Sequence, residues 1–187
     1  MPFIELNDGI PGIRSLVVYR PDTGKHLYDL AEIILRGESP LSSTERELIA
    51  TYVSHLNGCI FCTRTHAAAC TCLLGSDKET VNLVLTDYTK APISEKLKCL
   101  LNIAGKVQAD ARTVSDLDVA KARDAGAVDR DIHDTVLIAA TFCMFNRYVD
   151  GLNTFTPEAD DKIYEEMGQR MSTIGYVLPT SNVKVEK

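Results

Sequence analysis

From about Lys25 onward, apolar residues recur every three to four positions, the period of a helix with one buried face. His26 to Arg36 predicts a helix that stops at Gly37, a residue suited to a helix C-terminus. Ser42-Ser43-Thr44-Glu45 is a capping box that opens the next helix, with Leu48, Ile49, Tyr52, Val53 and Leu56 as its apolar stripe. Asn57-Gly58 breaks that helix. A new one is expected to begin near Cys59 and to end at Gly75. Ser76-Asp77-Lys78-Glu79 reads as a second capping box, and Pro92 suits a first helical position. Leu97, Leu100, Leu101, Ala104 and Val107 then follow with helical spacing. Ser115 to Arg123 predicts a short helix closed by Gly126. Asp129 is expected to cap a long helix with Ile132, Val136, Leu137, Ala140, Cys143 and Met144 inward. Thr156-Pro157-Glu158 is expected to start a last one.

The two ends differ from this series. Residues 1–22 carry Pro2, Pro11 and Pro21 with Gly9 and Gly12, and predict an extended arm. Residues 173–187 predict an irregular tail, whose stretch Gly175 to Pro179 is expected to lie along a neighbouring surface. No linker or low-complexity stretch interrupts the series. The expectation is therefore a single all-α domain over residues 1–187, a bundle of roughly seven to eight helices.

Composition narrows the function classes. A chain of 187 residues buries one sizeable core. A formal charge of −6 argues against nucleic-acid binding, which needs a basic surface. The start of the chain lacks the basic and apolar regions of a signal peptide, and the apolar run Val136 to Ala140 is too short to span a bilayer. A soluble, cytoplasmic protein without a membrane partner is expected. Cysteines stand at 59, 62, 70, 72, 99 and 143, four of them within one short stretch. A disulfide scaffold would spread its cysteines to staple distant loops; this clustering suits one reactive thiol site in a reducing compartment.

Candidate chemistry concentrates between Glu47 and His66. Cys59 and Cys62 form a Cys-x-x-Cys pair, and His66 follows one helical turn after the second thiol. On a helix beginning at Cys59, the residues Cys59, Cys62, His66, Ala69, Cys70 and Leu73 share about a third of the circumference. Cα atoms three apart lie about 5 Å from each other, within disulfide reach. The positive end of the helix dipole stabilises a thiolate. Packing as small buried hydrophobes is the plain alternative for the pair. A zinc site from Cys59, Cys62, His66 and Cys70 or Cys72 is another. One short helix rarely wraps a tetrahedral ion, however, and no second ligand pair appears, so no metal is expected.

Glu47 stands nearly opposite the apolar stripe of its helix, where a solvated carboxylate is the ordinary outcome. It shares its face with Ala50, Thr51, Ser54 and Gly58, small uncharged residues that suit close approach of another helix. Burial there would raise its pKa toward that of a general base. His55, one turn before Cys59, either joins a proton relay or faces water. Cys70 and Cys72 are assigned to packing. Cys99, Cys143, His26 and His133 are assigned no chemistry.

The run from Glu47 through Cys59-Ile60-Phe61-Cys62 to His66 resembles the signature of the alkylhydroperoxidase D (AhpD-like) branch of the carboxymuconolactone decarboxylase superfamily. Pro11 to Leu16, Glu45 to Ala50 and Phe142 to Leu152 are similar to peroxidase-related members. The resemblance implies an all-helical homo-oligomer, trimeric or hexameric, that reduces hydrogen peroxide or organic hydroperoxides. It implies Cys62 as the thiol attacking peroxide, Cys59 as the resolving thiol, Glu47 as general base and His66 as support for the proton relay. The residues alone do not choose Cys62 over Cys59. No cofactor is implied, and the implied reductant is an external dithiol on a lipoyl-bearing or thioredoxin-like protein. Phe61 departs from the family pattern, which has a second histidine between the cysteines; a relay must then run through His66, His55 or water. A decarboxylase-type lyase, and a redox-sensing or disulfide-reductase protein without peroxide turnover, are the competing classes.

Overall fold

The computed structural model describes residues 1–178 and contains, among them, nine α-helices and no strand. These are α1 (Ile13–Tyr19), α2 (Pro21–Arg36), α3 (Ser43–Leu56), α4 (Ile60–Leu73), α5 (Lys78–Asp87), α6 (Glu95–Asp110), α7 (Asp116–Asp124), α8 (Asp129–Gly151) and α9 (Ile163–Ile174), with one 3-10 turn at Ala111–Thr113. The all-α expectation holds, with more helices than the seven to eight expected.

The difference begins at the N-terminus, where residues 1–22 are not an extended arm. Ser15 Oγ donates to the Gly12 carbonyl at 2.7 Å, α1 follows, and Leu16 and Val17 are buried. Pro21, counted as a breaker, occupies the first turn of α2, where its missing N–H costs nothing. Pro92 behaves differently: α6 starts later, with Ser94 Oγ accepting from the Leu97 N–H. Asp77 rather than Ser76 caps α5, because Ser76 adopts a left-handed φ of 78°. Thr156-Pro157-Glu158 starts no helix; α9 begins at Ile163, after Asp161 accepts from its N–H. The capping box at Ser42/Glu45 forms as expected, and a further one, Ser115/Asp118, opens α7.

The core lies around α3, which packs on α2, α4, α5, α6 and α8. Leu48, Ile49 and Val53 meet Leu97, Leu100, Leu101 and Ile103 of α6 and Ile138, Ala139 and Phe142 of α8. Truncating a side chain such as Phe142 to alanine there would destabilise by about 3–5 kcal/mol. The α8 expectation needs correction at this point. Leu137, Ala140 and Met144 are exposed, while Thr135, Thr141 and Asn146 face inward with Phe145 and Val149. Asn146 is satisfied inside by Asn57 Nδ2 at 2.8 Å and Ser54 Oγ at 3.1 Å, which is what lets a polar residue turn inward.

A second apolar cluster joins Leu16 of α1, Cys59, Phe61 and Cys62 at the head of α4, Val149 of α8, and Tyr164 and Met167 of α9. Helices α4 and α9 cross closely at Gly168, where a Cβ would come within 2.7 Å of the Ala68 carbonyl carbon. The tail is helical to Ile174, not irregular from 173. Gly175 to Leu178 then leave the helix and fold back on this chain's own α2–α4 side, with the Tyr176 N–H donating to Glu32 Oε2 at 2.7 Å. Pro179 and the rest of the expected tail lie outside the described residues.

Candidate active site

The α3–α4 corner builds the thiol site from local geometry. The Asn57 N–H closes on Val53, and Gly58 takes a φ of 74°, a conformation suited to glycine. The chain then turns so that the Cys59 N–H reaches the Ser54 carbonyl at 3.1 Å. Cys59 becomes the residue preceding the first turn of α4, and Cys62 lies in that turn, as the chain pattern predicts. Both are free thiols; Cys59 is fully buried and Cys62 is 4% exposed. The adjacent Cys62 sulfur, reinforced by burial, holds the Cys59 thiol far above the ordinary thiol range.

Glu47 is also fully buried, on the small-residue face of α3 with Ala50, Thr51 and Ser54. That face meets α4, as its composition suggests. His66 Nδ1 lies 2.7 Å from Glu47 Oε2. On the other oxygen, Oε1, Glu47 accepts from Arg36 Nη2 and from the Tyr176 hydroxyl, both at 2.6 Å. Burial is the largest influence on this carboxyl and opposes its charge. His66, Arg36 and Tyr176 together outweigh burial and hold it below the ordinary carboxylate range. The expected upward shift toward a general base is therefore corrected: Glu47 is a fixed anion.

A carboxylate only accepts, so the His66 nitrogen facing it, Nδ1, carries the proton. In the neutral ring this leaves Nε2 as an acceptor. The imidazole is wedged edge-on against Phe142, with centroids 4.7 Å apart, and stacked near Tyr176. Arg36 sits over the Tyr176 ring and donates also to the Met171 carbonyl at 3.0 Å, tying the end of α9 to α2. Burial pushes the Tyr176 phenol well above its ordinary range, so it is a hydrogen-bond donor at neutral pH.

A cavity of about 90 Å³ opens on this cluster. Cys62 and His66 are in its wall with Phe61, Phe142, Met167 and Tyr176, while Glu47 stands behind the imidazole. The arrangement supplies a thiol, an oriented imidazole and an anion in series, the logic of an activated nucleophile. The structure thus brings together Cys59, Cys62, His66 and Glu47. It does not bring in His55, which is exposed near the end of α3 and absent from the cavity wall. Phe61 fills the space beside the thiols with an apolar ring. Its partner is Gly12, where any Cβ would overlap that ring. Cys70 is buried 3.3 Å from the Thr51 hydroxyl, and Cys99 and Cys143 pack in or against the main core. Among the described residues no group of three histidine, cysteine or acidic side chains is arranged to hold a metal ion.

Two residues of the cluster, Arg36 and Tyr176, were not singled out from the chain pattern. Arg36 ends a helix, where a basic residue is ordinary. Tyr176 lies in a stretch marked only by Gly175, whose left-handed φ of 74° and contact with Glu32 make the turn that delivers it.

Comparison with known proteins agrees with this architecture. Residues 21–89 match the carboxymuconolactone decarboxylase family. No curated protein matches the chain. Among solved structures, an uncharacterised peroxidase-related protein from Silicibacter sp. TM1040 superposes with a TM-score of 0.74 and 26% identity, covering 83% of this chain and 78% of that one. An uncharacterised peroxidase-related protein from Ralstonia eutropha JMP134, described as an alkylhydroperoxidase AhpD core, gives 0.74 and 24%, covering 85% and 81%. A protein of unknown function from Agrobacterium tumefaciens gives 0.67 and 20%, covering 76% and 96%. The family match thus spans the thiol helices α3 and α4, and the fold around them is shared over most of the chain with an uncharacterised peroxidase-related protein.

Proposed function

We propose that this protein is a thiol-dependent peroxidase that reduces hydrogen peroxide or organic hydroperoxides through a Cys59–Cys62 dithiol/disulfide cycle. One observation carries the reading: His66, clamped by the buried Glu47, lines the same cavity as Cys62, one helical turn away. The peroxidase-related descriptions of the structural neighbours support it.

Cys62 lines the cavity and Cys59 does not, so Cys62 is the nucleophile in this proposal. His66 takes the Cys62 proton, and Glu47 stabilises the imidazolium that results. The Cys62 thiolate attacks the distal peroxide oxygen. The O–O bond breaks, the leaving alkoxide collects the proton from His66, and Cys62 becomes a sulfenic acid. The Cys59 sulfur displaces that hydroxyl as water, forming the disulfide. An external dithiol then gives two electrons and two protons by exchange and restores both thiols. A lipoyl-bearing or thioredoxin-like protein is the class of donor. Assembly into a homo-oligomer, trimer or hexamer, and residence in the reducing cytoplasm complete the proposal. Among the described residues no helix is long and apolar enough to cross a membrane.

Stopped-flow mixing of the reduced protein with peroxide tests this. Two thiols per chain should disappear in wild type, and Cys62→Ser should abolish peroxide consumption. Normal consumption by Cys62→Ser would overturn the assignment. Activity that survives alkylation of both cysteines would point instead to lyase chemistry.

A further inference from the structure

The cavity beside Cys62 is mostly apolar, yet two guanidiniums belong to its wall: Arg14 from α1, half-buried, and Arg170 from α9, exposed at the surface. Tyr28 of α2 lines it as well. Three helices thus converge there with donors. Among the described residues neither Arg14 nor Arg170 makes an ion pair, and neither they nor the Tyr28 hydroxyl makes a side-chain hydrogen bond. Both arginines act on Tyr28: burial pushes its phenol up to about 12, and the two positive charges oppose that rise. Among the described residues no aspartate or glutamate lines the cavity. In a chain of net charge −6 this wall carries two guanidiniums that have no ion-pair partner among the described residues. Arg36, the other nearby cation, is already paired with Glu47 and differs from them in this respect.

Apolar walls with a few convergent donors describe a site for an amphipathic small molecule. Paired guanidiniums match a carboxylate, which accepts charge-assisted bonds from both, and a phenol adds a further donor. We propose that the cavity takes hydroperoxides of small carboxylic acids, with the aromatic or short aliphatic body against Phe61, Phe142 and Met167 and the carboxylate held by Arg14, Arg170 and Tyr28. The substrate assignment rests on the peroxidase reading; the recognition of an apolar acid does not.

The test uses cumene hydroperoxide carrying a para-carboxylate and its methyl ester, with dihydrolipoamide as electron donor. Wild type should prefer the acid by about tenfold in kcat/KM. Arg14→Gln combined with Arg170→Gln should bring the acid-to-ester ratio close to one. Arg112→Gln, a change to a surface arginine paired with Asp110, should leave the ratio unaltered. A second measurement needs no turnover: calorimetric binding of para-isopropylbenzoate, which the double variant should weaken about tenfold relative to wild type. Equal rates on acid and ester together with benzoate binding indifferent to both arginines would overturn the proposal and leave the peroxidase standing. Absence of Cys62-dependent turnover with intact benzoate binding would remove the peroxide and keep the acid site. An acid preference that appears only when dihydrolipoate replaces dihydrolipoamide would reassign the arginines to the reductant and overturn the substrate claim.

Discussion

Glu47 and Asp118 are both carboxylates inside the protein, both held below the ordinary carboxylate range, and they serve different ends. Asp118 closes the start of α7. Its Oδ2 accepts from the Ser115 N–H at 2.9 Å, the Ser115 hydroxyl at 2.6 Å and Lys106 Nζ at 2.6 Å, and Oδ1 accepts from Asn102 at 2.9 Å. All four donors serve local structure, and none lines the cavity that contains Cys62. Glu47 binds Arg36, His66 and Tyr176, two of which line the cavity that contains Cys62. A depressed carboxyl pKa therefore does not mark a functional site. What distinguishes Glu47 is a titratable partner placed between it and a reactive atom.

The largest expected effect comes from breaking the Glu47 side of that contrast. Glu47→Gln removes the anion that fixes the imidazole and leaves Arg36, only 12% exposed at its side chain, without its charge partner. We expect peroxide consumption to fall by about 10²–10⁴-fold, the range for losing an oriented proton acceptor, and stability to drop by about 3 kcal/mol. Urea unfolding beside single-turnover kinetics separates the two. Asp118→Asn should reverse the pattern: a loss of about 1–2 kcal/mol for a damaged helix start, with peroxide kinetics unaltered. Equal kinetic losses from both substitutions would erase the distinction.

Tyr176→Phe is a smaller cut. It removes one donor from Glu47 Oε1 and leaves Arg36 and His66 in place. A loss of about 1 kcal/mol is expected, with a several-fold lower rate. Gly175→Ala should act through the same residue, since its φ of 74° and the neighbouring Glu32 carboxylate leave no room for a methyl group.

The smallest effect is in pH dependence. Both carboxyls ionise more readily in the folded chain than in the unfolded one. The stability they contribute is complete above the unfolded carboxylate value, about pH 4, and is lost as pH falls through their lower folded values. Wild type should lose stability below about pH 4, and Glu47→Gln should show a shallower loss over the same range, measurable by thermal melts. An unchanged slope would mean that Glu47 is not ionised in the folded protein.

The contrast also explains what the chain could tell in advance. Ser42-x-x-Glu45 is a local device with its partner three residues away, so its spacing was legible, whereas Ser76-x-x-Glu79 has the same spacing and fails because Ser76 takes a left-handed φ and Asp77 caps α5. The pairing of Cys59, Cys62 and His66 is equally local, because one helix carries all three. Glu47 was legible only through the small residues around it, which signal a close helix neighbour but not the sign of the pKa shift. That sign depends on Arg36 and Tyr176, 11 and 129 residues away, whose approach is a product of the whole packing. The N-terminal helix was hidden for a different reason: proline and glycine mark helix starts as readily as they mark loops. On α8, inward-facing threonines and Asn146 blurred the apolar stripe, and Leu137 and Met144 were assigned to the wrong face.

The most direct measurement traps the sulfenic acid. Reduced Cys59→Ser and Cys62→Ser proteins are exposed to one equivalent of peroxide with dimedone, and the adduct is mapped by mass spectrometry. The account predicts stoichiometric labelling of Cys62 in Cys59→Ser and none at Cys59 in Cys62→Ser. Labelling of Cys59 at a comparable rate, or no adduct at Cys62, would contradict it.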